Sequence, residues 1–174
     1  MKNCPGCSRE IDRYSIACQY CGRLVRKEKN LPIVDIGELD SPGILESRTL
    51  TISIDCDSKK ICKFASNLAN LPKWAVTFAK SAKKSKGSWI VETEQGPVKI
   101  RMAKKNTFGI LDHYVKPQGA PEFLVPMRVV ANAQGSEVIF TLFQLPGMTE
   151  ENFKRDIGLV EKDLNSLKFI MEKQ

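Results

Sequence analysis

From Thr49 to Cys56, apolar Leu50, Ile52, Ile54 and Cys56 alternate with Thr51, Ser53 and Asp55, the period-2 pattern of a strand with one buried face. Asp57 and Ser58 then offer an N-cap, and Ile61, Phe64, Ala65 and Leu68 recur at helical spacing, which predicts a short helix after the strand. Pro72 begins a second brief helical turn, Pro72-Lys73-Trp74, with extended structure expected to resume near Thr77. Between Phe78 and Gln144 the turn signals fall at Gly87, Gln95-Gly96-Pro97, Lys105-Asn106, Pro117-Gln118-Gly119 and Gln134-Gly135, so this stretch reads as an antiparallel meander of about six strands. Within it Trp89, Val91 and Thr93 alternate with Ile90, Glu92 and Glu94, and Val98, Ile100 and Met102 with Lys99 and Arg101. Phe123, Val125, Met127 and Val129 share one face of a further stretch that carries Arg128. One side of the sheet is therefore apolar and the other largely charged.

The pattern changes period at the C-terminal end. Thr149 and Asn152 bracket a helix start, after which Phe153, Ile157, Val160, Leu164, Leu167 and Met171 follow at steps of 4, 3, 4, 3 and 4. That is one continuous apolar stripe on a helix of roughly 33 Å. It needs a large apolar partner, and the sheet face is the candidate. From Leu24 to Arg48, by contrast, Pro32, Gly37, Pro42 and Gly43 interrupt any sustained periodicity, which reads as a linker. Its apolar groups, Leu31 to Ile36 and Ile44-Leu45, leave open whether it is a loose tether or docks on a neighbouring surface.

The first two dozen residues carry the sharpest chemical signal. Cys4 and Cys7, then Cys18 and Cys21, form two CxxC pairs separated by ten residues. Two such knuckles facing each other complete a tetrahedral four-thiolate shell for one structural Zn²⁺, with no position left for water or substrate. Disulfides would require an oxidising compartment, and a redox CxxC would sit at a strand-to-helix junction that no pattern after Cys7 or Cys21 suggests. So short a segment cannot bury enough apolar surface to fold alone, so the metal should supply most of its folding free energy. Residues 4–22 resemble short zinc-ribbon modules. The expected organisation is a ribbon over 1–23, a linker over 24–48 and one main domain over 49–174.

Within the main domain, a strand, two short helices, six strands and a long final helix resemble in their order the START-related SRPBCC superfamily, or helix-grip fold. The resemblance covers 49–173 and rests on Asn67 through Leu71-Pro72-Lys73-Trp74, the hairpins at Gln95-Gly96 and Gln134-Gly135, and the last helix. It implies an α+β domain in which a curved antiparallel sheet of about seven strands wraps the C-terminal helix, commonly leaving an apolar cavity for lipids, polyketides or hormones. The function implied is non-enzymatic binding of a hydrophobic small molecule. Trp74, Trp89, Val91, Ile100, Met102, Phe123, Val125, Met127, Phe140, Phe153, Ile157 and Leu164 are the nominated walls. The same side chains equally suit a filled core.

Some members of the superfamily are cyclases or dehydratases, so an enzyme acting on an apolar substrate in the same cavity is the alternative. Catalysis would need polar groups converging there, and the candidates are Asp112, His113 and Tyr114, with no residue assigned a catalytic role. In a strand, His113 must face away from its two neighbours. If Asp112 and Tyr114 point inward they can act as acid or base; if His113 does, it lacks an adjacent carboxylate. Cys56 and Cys62 read as small buried hydrophobes.

Charge adjusts this picture modestly. The formal net charge is +7, and a zinc-thiolate centre would reduce it to about +5. Residues 1–30 carry seven Lys/Arg against three Asp/Glu, and Lys80 to Lys86 holds four lysines in seven positions. With aromatics in the ribbon limited to Tyr14 and Tyr20, protein contact is favoured over nucleic acid as the ribbon's role. The longest nearly uncharged apolar stretch, Phe123 to Val130, falls far short of the roughly 20 residues of a membrane span. No apolar h-region follows Lys2, so a cytoplasmic location is expected.

Overall fold

The computed structural model describes residues 2–4, 7–11, 43–85 and 88–173. The chain divides into two units, Met1–Asp35 and Ile36–Gln174, with the boundary inside the expected linker.

In the first unit, strands β1 (Lys2–Asn3) and β2 (Glu10–Ile11) pair antiparallel. Cys4 and Cys7 lie on the connection between them. The remainder of the expected ribbon, including Cys18 and Cys21, lies outside the described residues.

The second unit starts with β3 (Ser47–Ile54), two residues earlier than the alternation suggests, because Ser47 still pairs with Phe143 and Glu46 O accepts from Gln144 N–H. Leu50, Ile52 and Ile54 turn inward, and burial deepens along the strand until Ile54 is enclosed. Asp57 caps α1 (Ser58–Ala65) by accepting from the Lys59 and Lys60 N–H groups. A 3₁₀ turn at Leu68–Asn70 leads into α2 (Leu71–Trp74), where Pro72 occupies the first turn, a position whose N–H has no partner in a helix.

Extended structure does not resume at Thr77. The Phe78 and Ala79 N–H groups turn back to Ala75 O, and Thr77 donates its N–H and its hydroxyl to the two Asp163 oxygens, each at 2.8 Å. The next strand therefore starts at Ser81, once the chain is free of this tether. From there run β4 (Ser81–Ser85), β5 (Ser88–Thr93), β6 (Gly96–Met102), β7 (His113–Pro117), β8 (Phe123–Val125), β9 (Met127–Asn132) and β10 (Gly135–Phe143). The predicted turn at Gly87 lies outside the described residues.

Two corrections to the expected sheet follow. Among the described residues this unit has eight strands rather than about seven, and they form two antiparallel sheets, β4-β5-β6-β7-β8 and β3-β10-β9. The division falls at Pro126, which has no N–H to continue a ladder; its carbonyl accepts from Thr141 N–H instead. Alternation nevertheless runs through the break, with Phe123, Val125, Met127 and Val129 all on the core side. The predicted turn at Lys105-Asn106 is a longer loop, 103–112, organised by Asn106, whose side chain bonds Lys104 O, Ile110 O and the N–H groups of Phe108 and Ile110. Gly109 brings this loop against β9. Its φ is +74°, and a Cβ there would stand 2.0 Å from Val129 O, so glycine is required on both counts.

The final helix, α3 (Glu150–Glu172), is capped by Thr149, whose hydroxyl accepts from Asn152 N–H. It runs parallel to β3. At the C-terminal end of α3, Lys168 Nζ donates to Ser53 O and Glu172 accepts from Asp55 N–H; near its start, Phe153 and Ile157 lie beside Ser47 and Arg48. Leu164, Leu167 and Met171 join Ile54, Ile61, Val91 and Val138 in one core.

Candidate functional site

The inner face is closed at one end and accessible at the other. Where α3 ends beside the end of β3, Ile54, Ile61, Val138 and Leu167 are at most 1% exposed. Toward the other end, side chains on the same face are only half-buried: Met102, His113, Phe123 and Val125 on the five-stranded sheet, Leu142 on β10, and Ile157 and Val160 on α3. Strand register places these sheet residues side by side. Met102 pairs with His113 and His113 with Val125, while Ile100, Val115 and Phe123 form the adjoining rank. At this end a groove of about 350 Å³ is lined by Glu46, Ser47, Arg48, Glu150, Phe153, Lys154 and Ile157. Arg48 pairs with Leu142 in register and so belongs to the inward rank of β3, two residues before Leu50. Its exposed side chain stands at the rim of the groove with the exposed Lys154–Glu150 pair and Glu46, so that two basic and two acidic groups share the rim.

The twelve nominated wall residues divide accordingly. Trp74, Val91, Ile100, Met127, Phe140 and Leu164 are buried in the core, with Trp89, Met102, Phe123 and Val125 half-buried against it. Phe153 and Ile157 border the groove, Phe153 being the more buried. Trp74 carries an unexpected feature: its indole Nε1–H is enclosed without a hydrogen-bond partner among the described residues, an orphan donor of the kind that buried polar groups seldom leave. A second groove, about 480 Å³ between α2 and the outer side of α3, is lined by Lys73, Val76, Asn165, Ser166, Phe169 and Ile170 and opens broadly to solvent.

Strand parity separates the three polar candidates. Val115 is buried, so His113 faces inward with it and Tyr114 faces out. The Tyr114 ring lies under the Arg101 guanidinium, 3.7 Å from its centroid, and Arg101 in turn pairs with Glu122 at 2.8 Å. Asp112 accepts from Met127 N–H and pairs with Arg128. His113 packs against Phe140 at 6.2 Å between ring centroids, and its Nδ1 lies 3.1 Å from Leu111 O. Burial pushes the imidazole pKa below its usual range, with the Leu111 carbonyl opposing in part. The three neighbours thus do not converge on one point. Cys56 and Cys62 are half-buried against the core, and burial, assisted by Asp57, pushes the Cys62 thiol up, away from nucleophilic character.

In the first unit, Cys4 is buried, its N–H donates to Arg9 O at 2.9 Å and its carbonyl accepts from Ser8 N–H at 2.9 Å. Ser8, directly after Cys7, has φ +55°, the left-handed turn that lets a CxxC loop fold back on itself. These backbone hydrogen bonds and the Ser8 turn are compatible with a CxxC knuckle, in which Cys4 and Cys7 would be the ligands. Cys18 and Cys21, the other pair, are outside the described residues.

The sequence readily nominated the apolar walls but not the groove. Its signal was present in Arg48, an arginine in phase with Leu50, Ile52 and Ile54. Glu46, Glu150 and Lys154 carry no comparable mark, since their grouping depends on how α3 lies along β3.

No family model matches this sequence, and no curated protein matches it. Solved structures do match. An uncharacterised protein from Bacillus thuringiensis superposes with a TM-score of 0.60 at 15% identity, over 72% of this chain and 98% of its own. A START superfamily protein from Mycobacterium smegmatis gives 0.55 at 12% identity over 73% and 97%. The Aha1 dimer from Colwellia psychrerythraea gives 0.55 at 16% identity over 74% and 97%. At such identities the likeness is one of fold: the second unit has the α+β, START-like helix-grip architecture. Among the described residues, no helix is long and apolar enough to cross a membrane.

Proposed function

We propose that the second unit binds a hydrophobic small molecule between its sheet and the C-terminal helix without transforming it. The observation that carries this reading is the burial gradient: inward-facing Met102, Val125, Leu142, Ile157 and Val160 stay partly accessible, whereas the other end of the same face is sealed. Apolar side chains left accessible in the interior keep unsatisfied surface, at about 25 cal/mol per Å², that an apolar ligand would cover. The groove beside Arg48 supplies an entry. Binding is favoured over catalysis because Asp112 is engaged with Arg128, and Tyr114 with Arg101 on the outer face. An aliphatic or polyketide-like molecule suits these walls, in which half-buried Met102 and buried Met127 provide adaptable contacts.

The first unit, on this proposal, holds one structural Zn²⁺ through Cys4, Cys7, Cys18 and Cys21, and its basic residues offer a surface for a protein partner. The Cys4–Cys7 knuckle with Ser8 in the left-handed turn supports the metal assignment.

The test is to purify the full chain under mild conditions, unfold it, and identify the released small molecules and metal by mass spectrometry. One zinc with a stoichiometric lipid-like molecule is the expected result. Met102→Glu should abolish co-purification of that molecule and leave zinc content unchanged, because it places a charge on the accessible part of the inner face. A folded Met102→Glu protein that carries the molecule as before would overturn the wall assignment.

A further inference from the structure

His113 is the only histidine in the chain and a polar side chain on the accessible part of the inner face, ranked between Met102 and Val125 and packed on Phe140. Its Nδ1 lies 3.1 Å from Leu111 O. A carbonyl oxygen can only accept, so Nδ1 carries the ring proton, and the lone pair of the neutral imidazole is on Nε2. Nε2 has no hydrogen-bond partner among the described residues. The nearest ionisable neighbours in sequence are engaged elsewhere, Asp112 with Arg128 and Tyr114 with Arg101. Burial favours the neutral ring and so preserves the lone pair.

A ring fixed in this way presents one acceptor and no donor to the interior. It complements an O–H group and offers nothing to a carbonyl, an ether or a carboxylate. We infer that His113 Nε2 accepts a hydrogen bond from a hydroxyl group of the ligand, so that the molecules taken up are hydroxylated hydrophobes, alcohols or phenols, rather than hydrocarbons, ethers or fatty-acid anions. The inference rests on the interior being the ligand site, as proposed above. Selectivity arises because a bound molecule lacking the hydroxyl leaves Nε2 buried without a partner, whereas in the free protein water can reach it.

The test uses the full chain with ¹⁵N-labelled histidine, in which the single imidazole gives one pair of ring nitrogen resonances. The probes are 2-naphthol and 2-methoxynaphthalene, which share a ring system and differ in the O–H donor; binding is followed by their fluorescence. Both are expected to bind, 2-naphthol about fivefold more tightly. Only 2-naphthol should move the Nε2 resonance toward the range of a hydrogen-bonded nitrogen, with Nδ1 remaining protonated throughout. His113→Phe should lower the affinity for 2-naphthol to that of the methyl ether and leave the ether unaffected. Equal affinities with an unmoved Nε2 resonance would overturn the hydroxyl role while leaving the interior site standing. Failure of both probes to bind would remove the site and the inference together. Should His113→Phe not fold, the Nε2 shift of the unaltered protein decides alone.

Discussion

Two inward-facing ionisable side chains, half-buried His113 and buried Asp163, set opposite pH dependences. Burial lowers the His113 pKa below 6.5, so its contribution to stability is complete above about 6.5 and is lost as pH falls toward the lower folded-state value. Burial raises the Asp163 pKa above 3.8, against the opposing hydrogen bonds from Thr77. Its contribution is complete below that value and is lost as pH rises through the folded-state pKa. Urea midpoints across the acid-to-neutral range should therefore lose their decline below about 6.5 in His113→Phe, and lose the opposing gain on acidification in Asp163→Asn. At neutral pH Asp163→Asn, which keeps an acceptor for Thr77 N–H, should lie within about 1 kcal/mol of the unaltered protein, whereas Asp163→Ala should lose about 2 to 3 kcal/mol by stranding that donor. An Ala variant as stable as the Asn variant would show that the tether is immaterial. None of this was legible beforehand. Thr77 and Asp163 are 86 positions apart, and no local pattern marks them as partners. The orientation of His113 was equally open, because it depends on the parity of β7 and only the burial of Val115 decides it.

On the level of whole elements, α3 was the most legible. Thr149 and the apolar steps from Phe153 to Met171 placed it almost to the residue, since a long amphipathic helix carries its own period and cap. β8 and β9 were read as one strand because alternation persists through Pro126. The missing N–H of that proline was the available sign of a break, but which strand each half would pair with depends on the tertiary structure. The helix also divides energetically along its length. Leu167 is fully enclosed and Ile157 on the same stripe is half-buried, so Leu167→Ala should lose about 3 to 4 kcal/mol and Ile157→Ala only about 1 kcal/mol. Equal losses in chemical denaturation would contradict the gradient of burial on which the binding site depends.

For the molecule as a whole, the two units make different demands. Zinc content should be one per chain and should be lost in both Cys4→Ser and Cys21→Ser, as measured by elemental analysis of the purified proteins; metal retained by either variant would exclude that cysteine as a ligand. Both tryptophans, Trp74 and Trp89, belong to the second unit, so intrinsic fluorescence follows its unfolding. That unit joins its beginning to its end. Thr49 on β3 shares a hydroxyl hydrogen bond with Thr141 on β10, 92 positions later, and Asp55 N–H reaches Glu172, 117 positions later. On a ribosome adding about 5 to 20 residues per second, β3 emerges roughly 5 to 20 s before β10, its sheet partner among the described residues, exists. Throughout that interval Leu50, Ile52 and Ile54 lie on an unpaired edge, open to mispairing with other nascent chains, so the yield of native protein should depend on chaperone capacity during synthesis more than on the stability of the finished fold.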